Sequence, residues 1–578
     1  MPDSGDIRPV KASPRGDSQV RVYAVPPRPS APPEEILSGF LEAITSDDFD
    51  IARTYLTPAA EKVWRPDAQT TVLEAAPDRG LSTEGGEGNP GMDYELVGRK
   101  IATVDAQHAY QAVAPEQYRS TVRLVQVGSK KDWRIDQPPE GLVLGASDFE
   151  RNYRSVNKYY FATGRDTVVA DPIFIRQRMD PVTRMDPVTQ TVKALLDGPT
   201  NWLKPVVESP FPTGTTLRDG VRSLSFDDQN VLKVPLNEKA SNVGQAQCNR
   251  MAAQILFTLK DLSASRVEQV ALQRSDGSSL CVRSSGEAEI YAPDHVLGGT
   301  GKQYFIDARG SLAVLPDDAK KPPVPVPGPF GEGAMPMSAA AVARDERRAA
   351  AVSKDGGRLH VASIESEGEP ATEVAHSKGA TLGTRLSAPS WDGNGDLWVA
   401  DRDPAQPALL RLVNGTEPAQ RVAIVPALDG ARIESLKVSA DGARIAFLLS
   451  EDGRTTLKIG RVEHDGTKGG GAVSVTDLRA VAPQMETVTA VSWAGPSRLV
   501  VVGKESGGVK QVLYMQTDGF TSATGVLQGL NGVTAVSAAN EENRPLVAHS
   551  KDDGVVRLPA GGNWQTVVPK GTSPIYPG

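Results

Sequence analysis

Lys437-Val-Ser-Ala-Asp-Gly-Ala-Arg-Ile-Ala-Phe447 is one statement of a phrase that recurs from about Met337 to the C-terminus. The phrase is a short apolar or small stretch, a turn, and three apolar residues. Its other statements begin at Ala341-Val-Ala, Pro389-Ser-Trp391, Val491-Ser-Trp493 and Ala535-Val-Ser537. They lead to Ala349–Ala351, Leu397–Val399, Leu499–Val501 and Leu546–Ala548. With Ile445–Phe447 included, consecutive triplets start 48, 48, 54 and 47 residues apart. A repeat of that length, built of short strands and turns, predicts a β-propeller with one blade per repeat. Asp-Gly pairs follow residue 301 at Asp355, Asp392, Asp429, Asp441, Asp452, Asp465, Asp518 and Asp553. Such pairs supply the positive φ of tight hairpin turns, which favours four-stranded blades over a helical repeat. Five blades carry the marker. Strands within 286–316, such as Lys302–Ile306 and Gly310–Leu315, leave a sixth open, so five or six blades are expected, with ring closure by the strand near Trp564–Val568. Lys320-Lys-Pro-Pro-Val-Pro-Val-Pro-Gly-Pro329 reads as an intervening loop.

At 578 residues the chain exceeds one core, so three to four domains are expected. A net charge of −8 without a basic stripe argues against a nucleic-acid partner. No apolar run is long enough to span a membrane, and no secretory signal stands at the start. Residues 1–32 read as an extended linker ending in Pro26-Pro-Arg-Pro-Ser-Ala-Pro-Pro33, which gives a semi-rigid spacer.

Residues 33–150 read as a small α+β domain. Ile36, Leu37, Phe40, Leu41 and Ile44 share one helical face behind Pro33-Glu-Glu35. Asp47-Asp48 offers a cap for a second helix with Phe49, Ala52, Tyr55 and Leu56 inward, stopped by Thr57-Pro58. Strands are expected at Glu95–Thr103, Ala109–Val113, Tyr118–Val127 and Trp133–Gln137, with a loop at Glu84–Gly91. The helices are expected to cover one face of a curved antiparallel sheet.

Residues 156–285 read as an α/β domain. Strands are expected at Lys158–Phe161 and Thr167–Val169. Met179-Asp-Pro-Val-Thr-Arg184 is copied at once as Met185-Asp-Pro-Val-Thr-Gln190. The second copy sets Asp186 as cap and Pro187 as first residue of a helix ended by Asp197-Gly-Pro199; the first is a loop extension. Strands Val221–Phe226 and Val231–Leu236 flank an Asp227–Asn230 turn. A helix over Gln245–Leu259 and a hairpin, Val267–Leu272 with Leu280–Val282, complete the domain. Residues 286–578 form the propeller.

No catalytic constellation stands out: there is no Gly-x-Ser-x-Gly elbow, P-loop or dinucleotide fingerprint, and the six histidines have no metal spacing. No catalytic residue and no cofactor are assigned. Asp392-Gly-Asn394-Gly-Asp396 alternates oxygen ligands like the start of a calcium loop. The expected glycine is Leu397 and the twelfth position is Asp403, so a strand-connecting turn is the stronger reading. Cys248 lies on a core-facing helix position and Cys281 on a strand able to pack against it. They are free core thiols or a disulfide, and a bond would contribute about 4 kcal/mol on the chain-entropy model.

Ala194-Leu-Leu-Asp-Gly-Pro199, then Ser209-Pro-Phe-Pro-Thr-Gly-Thr-Thr-Leu217, then Ala252-Ala-Gln-Ile-Leu-Phe-Thr-Leu259 resemble the GerMN (sporulation and germination) domain. The order of α+β unit, GerMN-like domain and propeller, after Met1-Pro-Asp-Ser-Gly-Asp6, resembles the actinobacterial LpqB lipoprotein family over essentially the whole chain. The tandem Met-Asp-Pro-Val-Thr departs from the usual helix start. The resemblance implies a signal peptide and lipidated (palmitate-bearing) cysteine upstream of this sequence, and anchorage on the extracytoplasmic face of the cell membrane. It also implies a non-enzymatic regulator beside an MtrB-like sensor histidine kinase, with its extracytoplasmic domain as partner and effects on envelope homeostasis and development. An alternative is a receptor for cell-wall glycan or peptide fragments, using the GerMN-like cleft or the propeller face.

Overall fold

The computed structural model describes residues 24–82, 91–177, 185–260, 262, 267–293, 301–318, 321–465 and 471–578. The loop expected at 84–91, but for Gly91, and the first Met-Asp-Pro-Val-Thr copy, like most of the linker, lie outside them. The chain forms two compact units. The first comprises residues to 64 with 79–95 and 120–139; the second comprises 65–78, 96–119 and 140–578.

In the first unit, Pro33–Thr45 is the expected helix, with Ile36, Leu37, Phe40, Leu41 and Ile44 buried. The Asp48 carboxylate accepts from Ile51 N and caps Phe49–Thr54. Thr57-Pro58 does not stop this run; it starts a third helix, Pro58–Val63, in which Thr57 accepts from Ala60 N and Pro58 takes the first turn. The pair Thr-Pro is a start signal where the hydroxyl caps and the proline needs no donor. Trp64 closes this core against Phe40 and Phe49, at ring distances of 5.4 and 6.1 Å. Strand Asp132–Gln137 pairs antiparallel with 123–127 and exchanges backbone bonds with Tyr55 and Thr57. Gly39 faces the Tyr55 ring so closely that a Cβ would lie 2.2 Å from its hydroxyl. That hydroxyl donates to Val25 O and ties down the end of the proline-rich segment.

The two expected strands at 109–113 and 118–127 are one, Tyr110–Val127. In the second unit, Thr70–Leu73 pairs with residues 100–104 on one side and, in parallel, with Leu142–Gly145 on the other. Neither short strand was expected. The middle domain opens with a hairpin of Tyr153–Ala162 and Val168–Arg176. A four-stranded sheet follows in the order Ser225–Phe226, Val231–Pro235, Gln269–Gln273, Ser279–Ser284. Residues 221–224 stay outside the strand. The crossover between the parallel pair is the helix Gln245–Leu259, as expected. Asp186 accepts from Thr189 N and Oγ1, so the second tandem copy caps Pro187–Leu196. Cys248 and Cys281 are joined as a disulfide, with Cα atoms 6.2 Å apart.

Among the described residues the propeller has six blades. Five are the marked repeats. The sixth is built from Gln303–Ile306, Leu312–Leu315 and Val324–Pro325 and is completed by the C-terminal strand Thr572–Ile575. Closure therefore does not use Trp564–Val568: Gln565–Val568 is the outer strand of the preceding blade, paired with Gly554–Leu558. The 320–329 loop contributes the edge strand Val324–Pro325. Two neighbouring blades share their outer edges, Gln420–Val425 pairing in parallel with Val473–Ala480; this removes exposed strand edges. Blade contacts repeat too. The Trp391 indole donates to Ala341 O at 3.2 Å and the Trp493 indole to Lys437 O at 2.9 Å, each across to the preceding blade. Arg348 and Arg444, each just before an apolar triplet, stack 5.3 Å over those two rings. Trp391, Trp398 and Trp493 are buried in blade cores.

Candidate functional site

The turns that follow the innermost strands build one side of a cavity of about 120 Å3 in the propeller. Lys437 and Val438 end one inner strand, Trp493 ends the next, and Ser537 ends a third, with residues 538–541 after it. Arg344 and Glu346, in the turn after Met337–Val342, complete the charged part of the wall. The innermost strands converge on a propeller's axis, so their ends form a natural concavity.

The polar groups of this wall are unequally satisfied. Glu346 Oε2 accepts from Tyr304 at 2.9 Å, and its other oxygen accepts from Gly301 N. Ser492 Oγ accepts from Ala538 N at 3.1 Å and donates to Trp493 O. Ser537 Oγ accepts from Tyr576 N at 2.8 Å. Lys437, in contrast, makes no side-chain hydrogen bond or ion pair among the described residues. Burial brings its ammonium down to about 8, and the Arg344 charge adds to that depression. A cation that loses its proton near neutral pH is short of negative partners.

Beside this cavity lies the joint between the propeller and the middle domain. Ala443 inserts among the core residues of the middle domain. Trp202 of that domain packs in return against a propeller core. Arg444 is fully buried. It donates to Ala170 O at 3.1 Å and to Pro496 O at 2.6 Å, and pairs with Asp441. The Trp202 indole donates to Asp477 O at 3.1 Å, and Arg461 holds both Trp202 O and the Asp477 carboxylate. A second, smaller cavity of about 50 Å3 lies where residues 109–111, 170–172, 200–203 and the propeller meet. Asp518 lines it. Its backbone carbonyl accepts from Ala112 N at 3.1 Å, and Oδ1 accepts from Phe520 N. Oδ2 is buried without a hydrogen-bond partner among the described residues. Burial raises this carboxyl to about 7.

The calcium candidates are spent on the fold. Asp392 Oδ1 accepts from Asn394 N and Asp396 N, and Oδ2 accepts from the Trp398 indole. Asp396 pairs with Arg411 at 2.6 Å and accepts from Asn414 N. Asn394 thus sits in a turn held by its neighbours, and among the described residues no group of three metal-ligating side chains occurs. The Cys248–Cys281 bond is buried and ties a helix to the adjacent strand. Lys437, Arg344, Arg444, Trp202 and Asp518 were not singled out by sequence as site residues. For Arg444 there was a signal: arginine also precedes the triplets at 349 and 499.

The arrangement defines a three-domain protein whose propeller is locked to an α/β domain and carries a concavity lined by charges of both signs. Residues 26–150 match the "Lipoprotein LpqB, N-terminal domain" family, 158–281 the "Sporulation and spore germination" family, and 311–577 the "Lipoprotein LpqB beta-propeller domain" family. Lipoprotein LpqB of Streptomyces avermitilis is 51% identical over 100% of this chain and 95% of the relative. That of Streptomyces coelicolor is 47% identical with the same coverage. Lipoprotein LpqB of Mycobacterium tuberculosis is 27% identical over 96% of this chain and 92% of the relative. The chain belongs to the LpqB lipoprotein family, which is not a known enzyme family. No described helix is long and apolar enough to cross a membrane.

Proposed function

We propose that this chain is a lipid-anchored protein of the extracytoplasmic face of the cell membrane that binds and modulates an MtrB-like sensor histidine kinase. Membership of a lipoprotein family supports the anchor. The observation that carries a binding role is the interlocked joint: Ala443 enters the middle domain's core and Trp202 packs against a propeller core, which favours the middle domain and propeller presenting one joined surface. A rigid surface lowers the ordering cost of docking a partner. Among the described residues, the wall of the larger cavity offers two cations, two carboxylates and two serines whose hydroxyls bond backbone groups, with no nucleophile paired to a base, which favours recognition over turnover.

The test is calorimetry of the intact chain with the extracytoplasmic domain of the candidate kinase. Saturable binding is expected; absence of heat for the intact chain, in detergent as well as in buffer, defeats the kinase reading. Cutting the chain at 301 is a poor test, because it strips Trp202 from the propeller core. A second reading, a receptor for cell-wall fragments, is favoured by one observation: Lys437 in the cavity wall has no anionic partner among the described residues. Thermal shift with muropeptides separates the two; a ligand at 100 times its Kd stabilises by about 2.7 kcal/mol.

A further inference from the structure

The propeller turn Thr517–Phe520 is wedged against other parts of the chain. Gly519 is the thin edge of the wedge. A Cβ there would lie 2.5 Å from the Ala112 Cβ on one side and 2.6 Å from Val481 O on the other. Its φ of 93° lies in the left-handed region, so both space and backbone call for glycine. Asp518 O accepts from Ala112 N at 3.1 Å. Phe520 enters an aromatic cluster, with ring centroids 4.9 Å from Phe174, 5.6 Å from Tyr110 and 6.4 Å from Phe149. The one turn thus touches the start of the strand Tyr110–Val127, the helix Ala146–Asn152 and the strand Val168–Arg176.

The wedge carries an unsolvated acid at its centre. Asp518 Oδ1 accepts from Phe520 N at 2.9 Å. Oδ2 is buried without a hydrogen-bond partner among the described residues. A carboxylate so placed forgoes the water that would solvate it outside, and the neutral form is favoured.

The titratable groups that share its cavity are Tyr110, Asp171 and Arg479, and none neutralises it. Burial raises the Tyr110 hydroxyl, and the Asp518 and Glu150 charges act on it in the same sense; it stays protonated. Asp171 accepts from Thr200 N and Oγ1 and lies 3.5 Å from the Lys158 ammonium. Arg479 is engaged with the Trp202 ring at 5.4 Å and with Asp477 at 3.6 Å. Burial accordingly raises the Asp518 carboxyl to about 7.

We propose that the Thr517–Phe520 turn is a proton-controlled latch: it stays wedged while Asp518 is neutral and lets go as Asp518 ionises. An opened turn gives the carboxyl back to water, where it regains its ordinary value of 3.8. Between about pH 4 and 7 the open turn therefore releases a proton that the closed turn holds. Opening grows as pH rises through that window and levels off above it, by at most about tenfold per pH unit for one linked proton. Neither a kinase nor a cell-wall ligand enters this mechanism, so failure of either reading leaves it standing.

The experiment is hydrogen exchange of the intact chain, followed by mass spectrometry at pH 5 and pH 8, with rates corrected for the intrinsic effect of pH. Peptides spanning 110–114 and 517–521 report the latch through Ala112 N and Phe520 N. A peptide spanning 444–449, in a blade core, is the control. Opening of both latch peptides is expected to rise at least about tenfold from pH 5 to pH 8, with the control unchanged. Asp518→Asn should keep the pH 5 behaviour at both pH values, and Asp518→Ser serves the same purpose if the asparagine chain fails to fold. Phe520→Leu keeps the carboxyl and trims the ring, so it should raise opening at pH 5 and retain the rise to pH 8. Equal protection of wild type at the two pH values overturns the latch. A rise that persists in the charge-free chain overturns the role of Asp518. A control peptide that loosens in proportion reports the whole fold giving way and overturns a local device. No effect of Phe520→Leu at pH 5 overturns the part given to the aromatic cluster.

Discussion

Arg444 and Lys437 lie seven residues apart in one blade, and the protein treats their charges in opposite ways. Arg444 has lost all contact with solvent. It is repaid by the Asp441 carboxylate, two backbone carbonyls and an aromatic face. Lys437 is only partly buried, is among the described residues without an anion, and has its ammonium weakened to about 8. A buried charge needs pairing and hydrogen bonds, and one deprived of them stays available to an outside partner or discards its proton. The same turn region thus locks two domains with a paired charge and leaves an unpaired one in the wall of a neighbouring concavity.

The largest effect should come from removing the satisfied charge. Arg444→Met leaves Asp441 buried and unpaired, and strands Ala170 O and Pro496 O. A loss of about 3–5 kcal/mol in urea unfolding is expected, as for one partner of a buried pair. A loss under about 1 kcal/mol would mean that the joint is not held by this charge. Asp441→Asn in the Arg444→Met background should recover part of the loss. Next is Trp202→Ala, which empties the ring that packs against the propeller core and removes the bond to Asp477 O. About 3 kcal/mol is expected, together with separation of the unfolding of the two domains in calorimetry. A single undivided transition would place their coupling elsewhere.

How much of this contrast was legible follows from the kind of signal each part leaves. Blades are written in repetition: five triplets at nearly equal spacing, with Asp-Gly between strands. At Asp452-Gly453 both residues take positive φ, 49° and 77°, so the pair is a backbone requirement that any reader can see. The helix caps at Asp48 and Asp186 are equally local. The sixth blade was half legible. Its first strands are apolar, whereas its closing strand, Thr572-Ser-Pro-Ile575, contains a proline and reads as a tail until the ring demands an inner strand. Thr70–Leu73 and Leu142–Gly145 were missed because four residues carry no period, and only pairing makes them strands. The joint left least in the sequence. Trp202 and Ala443 are single residues whose partners lie about 240 to 280 positions away, and Lys437 differs from its counterparts Ala341, Pro389, Val491 and Ala535 only in being charged. That difference, one lysine where the other repeats are apolar, was the available clue to the cavity.

Asp518 tests whether the joint tolerates an unsatisfied charge as the cavity does. Its Oδ2 has no partner among the described residues, and its carboxyl is raised from 3.8 to about 7. The folded state therefore holds the proton between those values while the unfolded chain releases it, so stability falls as pH rises from about 4 to 7 and levels off above. Asp518→Asn keeps the shape without the charge. It should flatten that slope and stabilise the protein at pH 8 by on the order of 2 kcal/mol. Unfolding curves at pH 5 and pH 8 check it, and an unchanged slope would show that the carboxyl finds water or an anion-stabilising donor in the 50 Å3 cavity beside it.

The smallest effect has the opposite sign to the first. Lys437 is depressed from 10.5 to about 8, so the unfolded chain binds the extra proton between those values, and stability rises with pH across that window. Below pH 8 the charged lysine is a standing cost to the fold. Lys437→Met removes it and should stabilise the protein at pH 7 by about 1 kcal/mol, part of the penalty being relieved by water in the cavity. A destabilisation comparable with that of Arg444→Met would erase the contrast between the two positions and make Lys437 a structural cation. A gain in stability is the signature of a position kept charged at the expense of the fold.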